Sequence, residues 1–592
     1  MKIRLIALTL ATGLAATACG GGVSHLLPNG ISNGASGVTR STRSAVVAPA
    51  GWATTATLGA VIPSATDKGA LAATTPMTVR VGLNLHNEQA LASLIASRQT
   101  ISPSQFDAQF GPTSSEVQQV VSYLTGQGFT NVTTSAQLVS ANGTAATVAK
   151  AFNTSLEAYT LNGQSVYVNT QPAFVPASLG GIVSAVLGLN NAAKMSVTPK
   201  RTTPGAISCF PQTLPNGSCI PVFDAGSVQK FYDAGGTAAA TGTTIAVIAE
   251  GNVSGTVSDL RYAETQQGLP QVPVSVVTVG LPSADTAGAA EWDLDTQSST
   301  GMAGNVKMLY IYATTSLTDS DIANNYSHWV GAHVAQLGNS SFGECEYQAF
   351  LDGSMKVDDH LFMQGAAQGQ TMFVSTGDTG SSCALAPTNG APGSGPPMVE
   401  YPAASSYAVG VGGTTVVANG DASYSGEAAW NAGGGGLSQF ENSTSWQQAT
   451  IPTSTGAAAT NLRGLPDIAM AADANAGAYN VYGQNIPGVG ACPSGCGIGG
   501  TSEASPLAMG SYARLLTAHP TLGFAAPQFY QNFLENQNST STVNGPPPTQ
   551  TLGGYHDIIT GANGAYTALP GYDYTTGLGT LDITVMSSQI GH

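Results

Sequence analysis

The chain has 592 residues, 42% of them hydrophobic and only 8% charged, against about 25% in an average soluble protein. Seventeen basic and 33 acidic residues give a net charge of -16, which leaves nucleic acid without the basic patches that phosphate binding needs. The apolar content excludes a disordered chain, and the length accommodates more than one sizeable core. Sparse carboxylates also suit acid conditions, because little stability is lost when few paired acids protonate.

The N-terminus, "MKIRLIALTLATGLAATAC", places Lys2 and Arg4 before an apolar run that ends in Ala16-Thr17-Ala18. This pattern predicts a secretory signal peptide over 1–18, cleaved before Cys19, and hence an exported protein: secreted, periplasmic or at the cell surface. The "ATAC" context also has the form of a bacterial lipoprotein box, with Ala16 where leucine is usual. Any lasting membrane tether would run through Cys19. The other six cysteines read as three disulfides, paired in sequence order as Cys209–Cys219, Cys345–Cys383 and Cys492–Cys496. Residues 19–76 are rich in Gly, Ser, Thr and Ala and are expected to be a flexible tether.

A first folded unit is expected over 77–195. Its strand-like "MTVRVGLNL", helical patterns in "NEQALASLIASRQ" and "SSEVQQVVSYLTGQG", and later alternating strands predict a small α+β domain. Residues 196–204 are polar, with Lys200-Arg201 at their centre, and read as an exposed linker open to cleavage. From 205 to 592, runs such as "TTIAVIAE" and "QTMFVSTGD" read as buried parallel strands with helices between them, a doubly wound α/β domain. Sites in such folds gather at the carboxyl ends of strands.

Three groups there carry possible chemistry. Ser502, in "GIGGTSEASPLAMGSYARLL", follows a glycine turn at the start of a helical pattern. It is either a helix cap or a nucleophile. No histidine stands in a context that suggests its base, and His333 in "GAHVAQLG" reads as a helix-face residue. Glu291 and Asp295, in "GAAEWDLDTQ", are four apart and share one helix face. They are either a solvated acidic face or a pair sharing a proton over part of the acid range. Asp378, in "VSTGDTGSSC", follows an apolar strand directly and is either a turn aspartate or a residue of the site.

These motifs, in this order and spacing, resemble the sedolisin serine-carboxyl peptidases. Residues 77–192 resemble the pro-kumamolisin activation domain in "QFDAQFGP", "VAKAFNTSLEAY" and "IVSAVLGLNN". "NSSFGECE", "YPAASSYAVGVGGT", "GEAAWNAGGGGLSQF", "RGLPDIAMAAD" and "GYDYTTGLG" extend the likeness over nearly everything after the tether. The resemblance implies a subtilisin-like parallel-sheet domain behind a ferredoxin-like prodomain that inhibits it and assists its folding. It implies an acid endopeptidase acting on proteins or peptides, made as a zymogen and cut near Lys200-Arg201. Ser502 would be the nucleophile and Glu291 its base. Asp295 would orient Glu291, and a protonated Asp378 would donate to the oxyanion. It further implies one structural Ca²⁺ held by the Asp557 and Asp573 side chains and the carbonyls of Ile558, Leu569 and Gly571. Two positions depart from the pattern: Gly499 where serine is frequent, and Glu503 where a small residue is usual. The rival reading is a surface lipoprotein that keeps the fold and binds partners without cutting them. An ordinary serine hydrolase with a hidden histidine base is a second alternative.

Overall fold

The computed structural model describes residues 27–28, 46–62, 65–197, 200–201, 222–383, 392–453, 460–538, 540–543 and 547–591. The expected signal segment, Cys19 and the expected Cys209–Cys219 pair lie outside them. The other two expected disulfides, Cys345–Cys383 and Cys492–Cys496, are formed.

The N-terminal domain is built on β1 (Pro76–Leu83), α1 (Ser114–Gly126), β2 (Thr130–Ser135), β3 (Leu138–Thr144), α2 (Ala145–Ala151) and β4 (Val183–Leu187). The sheet runs β4-β1-β3-β2, antiparallel throughout, as a ferredoxin-like βαββαβ unit requires. α1 starts at a capping box: Glu116 N–H donates to Thr113 Oγ1 at 3.3 Å and Thr113 N–H donates to Glu116 Oε2 at 2.7 Å. Val120 and Leu124 of α1 and Val148 of α2 bury against Val79, Val81 and Val139 of the sheet.

The domain starts earlier than its composition suggests. Trp52–Thr54 pairs with Phe174–Pro176, and Thr66–Ala70 pairs with Leu156–Leu161. All five residues of Thr66–Ala70 are exposed, so backbone hydrogen bonds alone hold that strand. Such a strand needs no apolar alternation, which is why the stretch reads as tether in the sequence.

The larger domain opens with β5 (Ala240–Glu250), α3 (Ser254–Gln267), β6 (Val274–Val279), α4 (Ala289–Ala303), β7 (Val306–Thr314) and α5 (Asp319–Ala332). Next come β8 (Leu337–Ser340), α6 (Ser354–Ala367), β9 (Thr371–Ser375), β10 (Val409–Ala418), β11 (Tyr424–Ala429) and β12 (Ile468–Ala471). The spatial order is β6-β7-β5-β8-β9-β10, all parallel, with β12 parallel and β11 antiparallel on β10. Every residue of β9 is buried, as expected for a strand covered on both faces. The strand order reverses between β5 and β8, so a crevice opens at the carboxyl ends of β8 and β9. A hairpin of β13 (Tyr479–Ile486) and β14 (Gly490–Gly499) then feeds α7 (Thr501–Ala518) into that crevice.

Two features differ from the sequence reading. Lys200–Arg201 is not a free linker: it pairs antiparallel with Gly499 and Ile498 of β14, occupying an edge whose backbone groups need partners. His333 is not on a helix face. It ends α5 in the left-handed region (φ 48°), with Nε2 3.2 Å from Gln368 O.

Candidate active site

Ser502 is the second residue of α7, and the residue before the helix is Gly500. The cap reading of Ser502 therefore fails. Gly500 has φ +121°, and a Cβ there would stand 2.6 Å from Asp378 Oδ2, so glycine is required on both counts. The acceptor at this helix start comes from the loop after β9 instead. Thr501 N–H and Thr501 Oγ1–H both donate to Asp378 Oδ1, at 2.8 and 2.9 Å. The second oxygen, Asp378 Oδ2, is buried without a partner. Burial raises the Asp378 pKa, opposed by the Lys200 charge and by the Thr501 bonds.

α4 packs against α7, and all fifteen of its residues are buried, which removes the solvated-face reading of Glu291 and Asp295. Both side chains are 0% exposed. Burial raises Glu291 well above its ordinary pKa, and the Asp295 and Asp378 charges add to this while the Ser502 hydroxyl opposes it. Asp295 is raised by burial and held down by bonds from Ser341 and Asn339. Two acids placed this way titrate as one pair. The Ser502 hydroxyl donates at 3.4 Å to Ser341 O and closes no bond of ordinary geometry to either Glu291 oxygen. The three groups are thus neighbours, since both Ser502 and Asp295 act on the Glu291 carboxyl.

A polar chain behind the acids went unnoticed in the sequence. Ser505 Oγ donates to Asn339 Oδ1 (2.6 Å), Asn339 Nδ2 to Ser341 Oγ (2.9 Å), and Ser341 Oγ to Asp295 Oδ1 (2.6 Å). It links α7 through the end of β8 to α4. The only sequence hint was "GNSS", small polar residues where an apolar strand ends. Glu400 was also missed. It lies beside Gly377, receives a long 3.5 Å bond from Thr379 Oγ1, and burial with the Asp378 charge pushes it up to about 8.

Glu503, whose charge would oppose an oxyanion if it faced the nucleophile beside it, faces the core. Its side chain is 0% exposed, lies against the Tyr479 backbone, and burial raises its pKa well above the usual carboxylate range. It is neutral in acid and opposes no developing charge. The histidines are engaged elsewhere: His360 with Leu83 O and Glu88, His519 with Ser587 O, and His556 stacked on Tyr424.

Of the expected calcium ligands, Asp557 and Ile558 end a strand (Tyr555–Ile558), and Leu569, Gly571 and Asp573 lie beyond it, where two backbone contacts tie them to the carboxylates. Asp557 Oδ2 accepts the Gly571 N–H at 3.0 Å and Asp573 Oδ2 accepts the Leu569 N–H at 3.0 Å. Burial pushes Asp557 up to about 7, with the Asp573 charge adding to it, and Asp573 up to about 6. Among the described residues no three or more His, Cys, Asp or Glu side chains gather into a metal cluster, so an ion here would draw on backbone carbonyls as well. Two buried carboxylates and carbonyl oxygens are a donor set that fits Ca²⁺.

Comparison with known proteins bears on the family and the fold. Residues 63–192 match the Pro-kumamolisin activation domain and residues 280–553 the Subtilase family. The chain is 36% identical to sedolisin from Pseudomonas sp. (strain 101) over 513 residues, covering 82% of this chain and 81% of that protein. It belongs to the sedolisin family. Xanthomonalisin from Xanthomonas sp. (strain T-22) is 34% identical over 577 residues, and this match takes in 87% of the chain and 65% of xanthomonalisin. Among solved structures, Pseudomonas sedolisin in complex with pseudo-iodotyrostatin superposes with a TM-score of 0.54 at 32% identity, over 62% of this chain and 98% of that one. The protein is thus a sedolisin-family serine-type peptidase with a subtilisin-like domain behind an activation prodomain.

Proposed function

We propose that the chain is the zymogen of an exported, acid-active endopeptidase that cuts proteins through Ser502, Glu291, Asp295 and Asp378. The observation that carries this reading is the buried Glu291–Asp295 pair beside Ser502, with the free oxygen of Asp378 at the same helix start. Glu291 takes the Ser502 proton as the hydroxyl attacks the scissile carbonyl, then returns it to the leaving amine. Asp295, fixed by Ser341, holds the shared proton and the orientation of Glu291. The unpaired Asp378 Oδ2, when protonated, donates to the oxyanion together with the Ser502 N–H.

Acid dependence follows from these roles. Asp378 must carry a proton while Glu291 must be able to accept one. Activity falls at high pH as Asp378 and the last proton of the Glu291–Asp295 pair are lost. It falls at low pH as Glu291 becomes fully protonated. The N-terminal domain inhibits by docking on the larger one, and self-cleavage in acid removes it. Ca²⁺ in the Asp557–Asp573 loop stabilises the fold. The signal segment directs export, with Cys19 as the place of any lipid anchor.

The test is hydrolysis of an unfolded protein by the acid-treated full chain across the acid and neutral range. Activity confined to acid and insensitive to pepstatin supports the reading. Ser502→Ala and Glu291→Gln should lose essentially all activity, and Asp378→Ala about 10²–10³-fold in kcat. A Ser502→Ala chain that still matures unaided in acid refutes self-processing. Activity peaking near neutral pH would instead favour a histidine-dependent hydrolase, and none at any pH a binding protein. Chelation with EGTA should lower Tm, with recovery by added Ca²⁺; an unchanged Tm refutes the ion.

A further inference from the structure

We propose that the groove beside Ser502 selects a lysine or arginine on the C-terminal side of the bond it cuts, and that Lys200 fills that place in the precursor. The proposal rests on the peptidase reading above and names the substrate class of the same site. The Lys200–Arg201 strand lies antiparallel on β14, with Lys200 opposite Gly499 and Arg201 opposite Ile498. Gly499 is the nearer of the two to Ser502, so the N-terminal side of the docked pair is the side directed at the nucleophile. A substrate laid on this edge in the same way, by strand addition, presents to Ser502 a bond on the N-terminal side of its basic residue.

The side-chain contacts are those of a built pocket. Lys200 Nζ donates to the Asp378 carbonyl at 2.9 Å and sits 4.5 Å from the centre of the Trp430 ring. Trp430 is buried, which makes it a fixed aromatic face for a cation. Lys200, Trp430, Asn431 and Asp473 line one open cavity of about 410 Å³. The Lys200 charge also acts on the carboxyls of Asp378 and Glu400. Acidic side chains around a carbonyl and an indole face favour an ammonium or guanidinium over any neutral side chain. While docked, Lys200 opposes protonation of Asp378, so the segment also disfavours the state that the oxyanion donor needs.

The distribution of basic residues fits such a preference. After residue 204 the chain contains only Lys230, Arg261, Lys307, Lys356, Arg463 and Arg514. Each of the six lies within a helix or strand, where the backbone is not offered as an extended substrate. An enzyme that needs a basic residue in this groove spares its own mature domain.

The experiment uses the acid-activated full chain and a peptide series in which Lys, Arg, norleucine or Glu is moved through each position, with cut sites read by mass spectrometry. Lys and Arg are expected to exceed norleucine about tenfold in kcat/KM at a position C-terminal to the cut. Trp430→Leu is expected to bring the Lys-to-norleucine ratio close to one; a ratio within one preparation is insensitive to how much of it is folded. Equal rates in the unaltered enzyme, or a preference confined to the N-terminal side, overturns the proposal. A second measurement needs no catalysis. In the Ser502→Ala chain, Lys200→Met should speed amide hydrogen exchange at Ile498 and Gly499, and unchanged exchange refutes the lysine anchor. If no peptide is cut by any preparation, the peptidase reading fails, and the exchange result still decides whether the groove holds a lysine.

Discussion

The prodomain contacts and the core of the larger domain treat the same side chains in opposite ways. Carboxylates on the prodomain side have cations. Glu88 meets His360 and Lys356 of the larger domain, Glu116 meets His86, and Arg80 of β1 reaches Asp321 of α5 at 2.9 Å. Inside the larger domain Asp467 is paired with Arg463 and Glu264 with Arg261, but a larger set of buried acids have only one another. Asp319, Glu344, Asp352 and Asp358 form a buried group, Asp293 faces Asp259, and Glu291 faces Asp295. No described Lys or Arg closes an ion pair with any of these eight residues. Glu88 is lowered to about 2, chiefly by the bond with His360, whereas burial raises the inner acids. Acid therefore loosens the first region and suits the second. Under the proposed function, a single drop in pH would weaken the grip of the prodomain while favouring the neutral carboxyls of the larger domain.

The largest expected break of this contrast is at Arg80. Its guanidinium is buried and also donates to Ser320 Oγ at 2.6 Å. Arg80→Ala leaves Asp321 without its cation, at a cost of about 3–5 kcal/mol for a pair this buried. The prodomain should then be released, and activity should appear, at a higher pH than in the unaltered chain. Activation followed by gel and peptide assay from neutral downwards measures this. An unshifted activation pH would mean that Arg80 does not hold the two domains together.

The next effect lies in the core. Glu346 is 0% exposed, burial pushes it up to about 7 against bonds from Ser438 and the Gln439 amide, and its charge faces Glu441. The sign follows from linkage. With a folded pKa above the unfolded value near 4.5, the native state holds the extra proton, so stability is full below about 4.5 and falls as pH rises through about 7. Charging this group costs about 3 kcal/mol by the size of the shift. Glu346→Gln in the Ser502→Ala chain should match the parent Tm in acid and exceed it near pH 8. Parallel Tm curves for the two proteins would remove Glu346 from the account.

Much of this was legible in the chain and some was not. Glu291, Asp295, Asp378 and Ser502 could be singled out as candidates because each stands in a motif whose spacing follows from its element: four residues on one helix face, a strand end, a glycine turn before a helix; the choice between their structural and catalytic readings came from the resemblance to the sedolisin family. The parallel strands showed as unbroken apolar runs. Ser341, Asn339 and Glu400 could not be found, because they act through contacts between elements far apart in sequence. Thr66–Ala70 and Lys200–Arg201 were misread for another reason. Both are strands held by backbone pairing, and backbone pairing leaves no mark on side-chain composition. Glu503 looked disruptive because its position beside Ser502 is visible in the sequence, while the direction of its side chain is not.

The smallest expected effect is at Glu88, and it bears most directly on the acid trigger. Its side chain is 42% exposed, so solvent screens the pair and the loss in Glu88→Gln should be only about 0.2–1 kcal/mol. What should change is the shape of the pH dependence. Glu88 has a folded pKa of about 2, below its ordinary 4.5, so its contribution is present above about 4.5 and lost as pH falls toward 2. His360 and Lys356 are the basic side chains that face it. Without Glu88, prodomain release in the Ser502→Ala chain, read by susceptibility to added pepsin, should become flatter with pH between 4.5 and 2 and begin earlier. If the profile keeps its steepness, the acid trigger lies in other groups of the interface and the pairing of Glu88 with His360 serves only to position the helix that carries it.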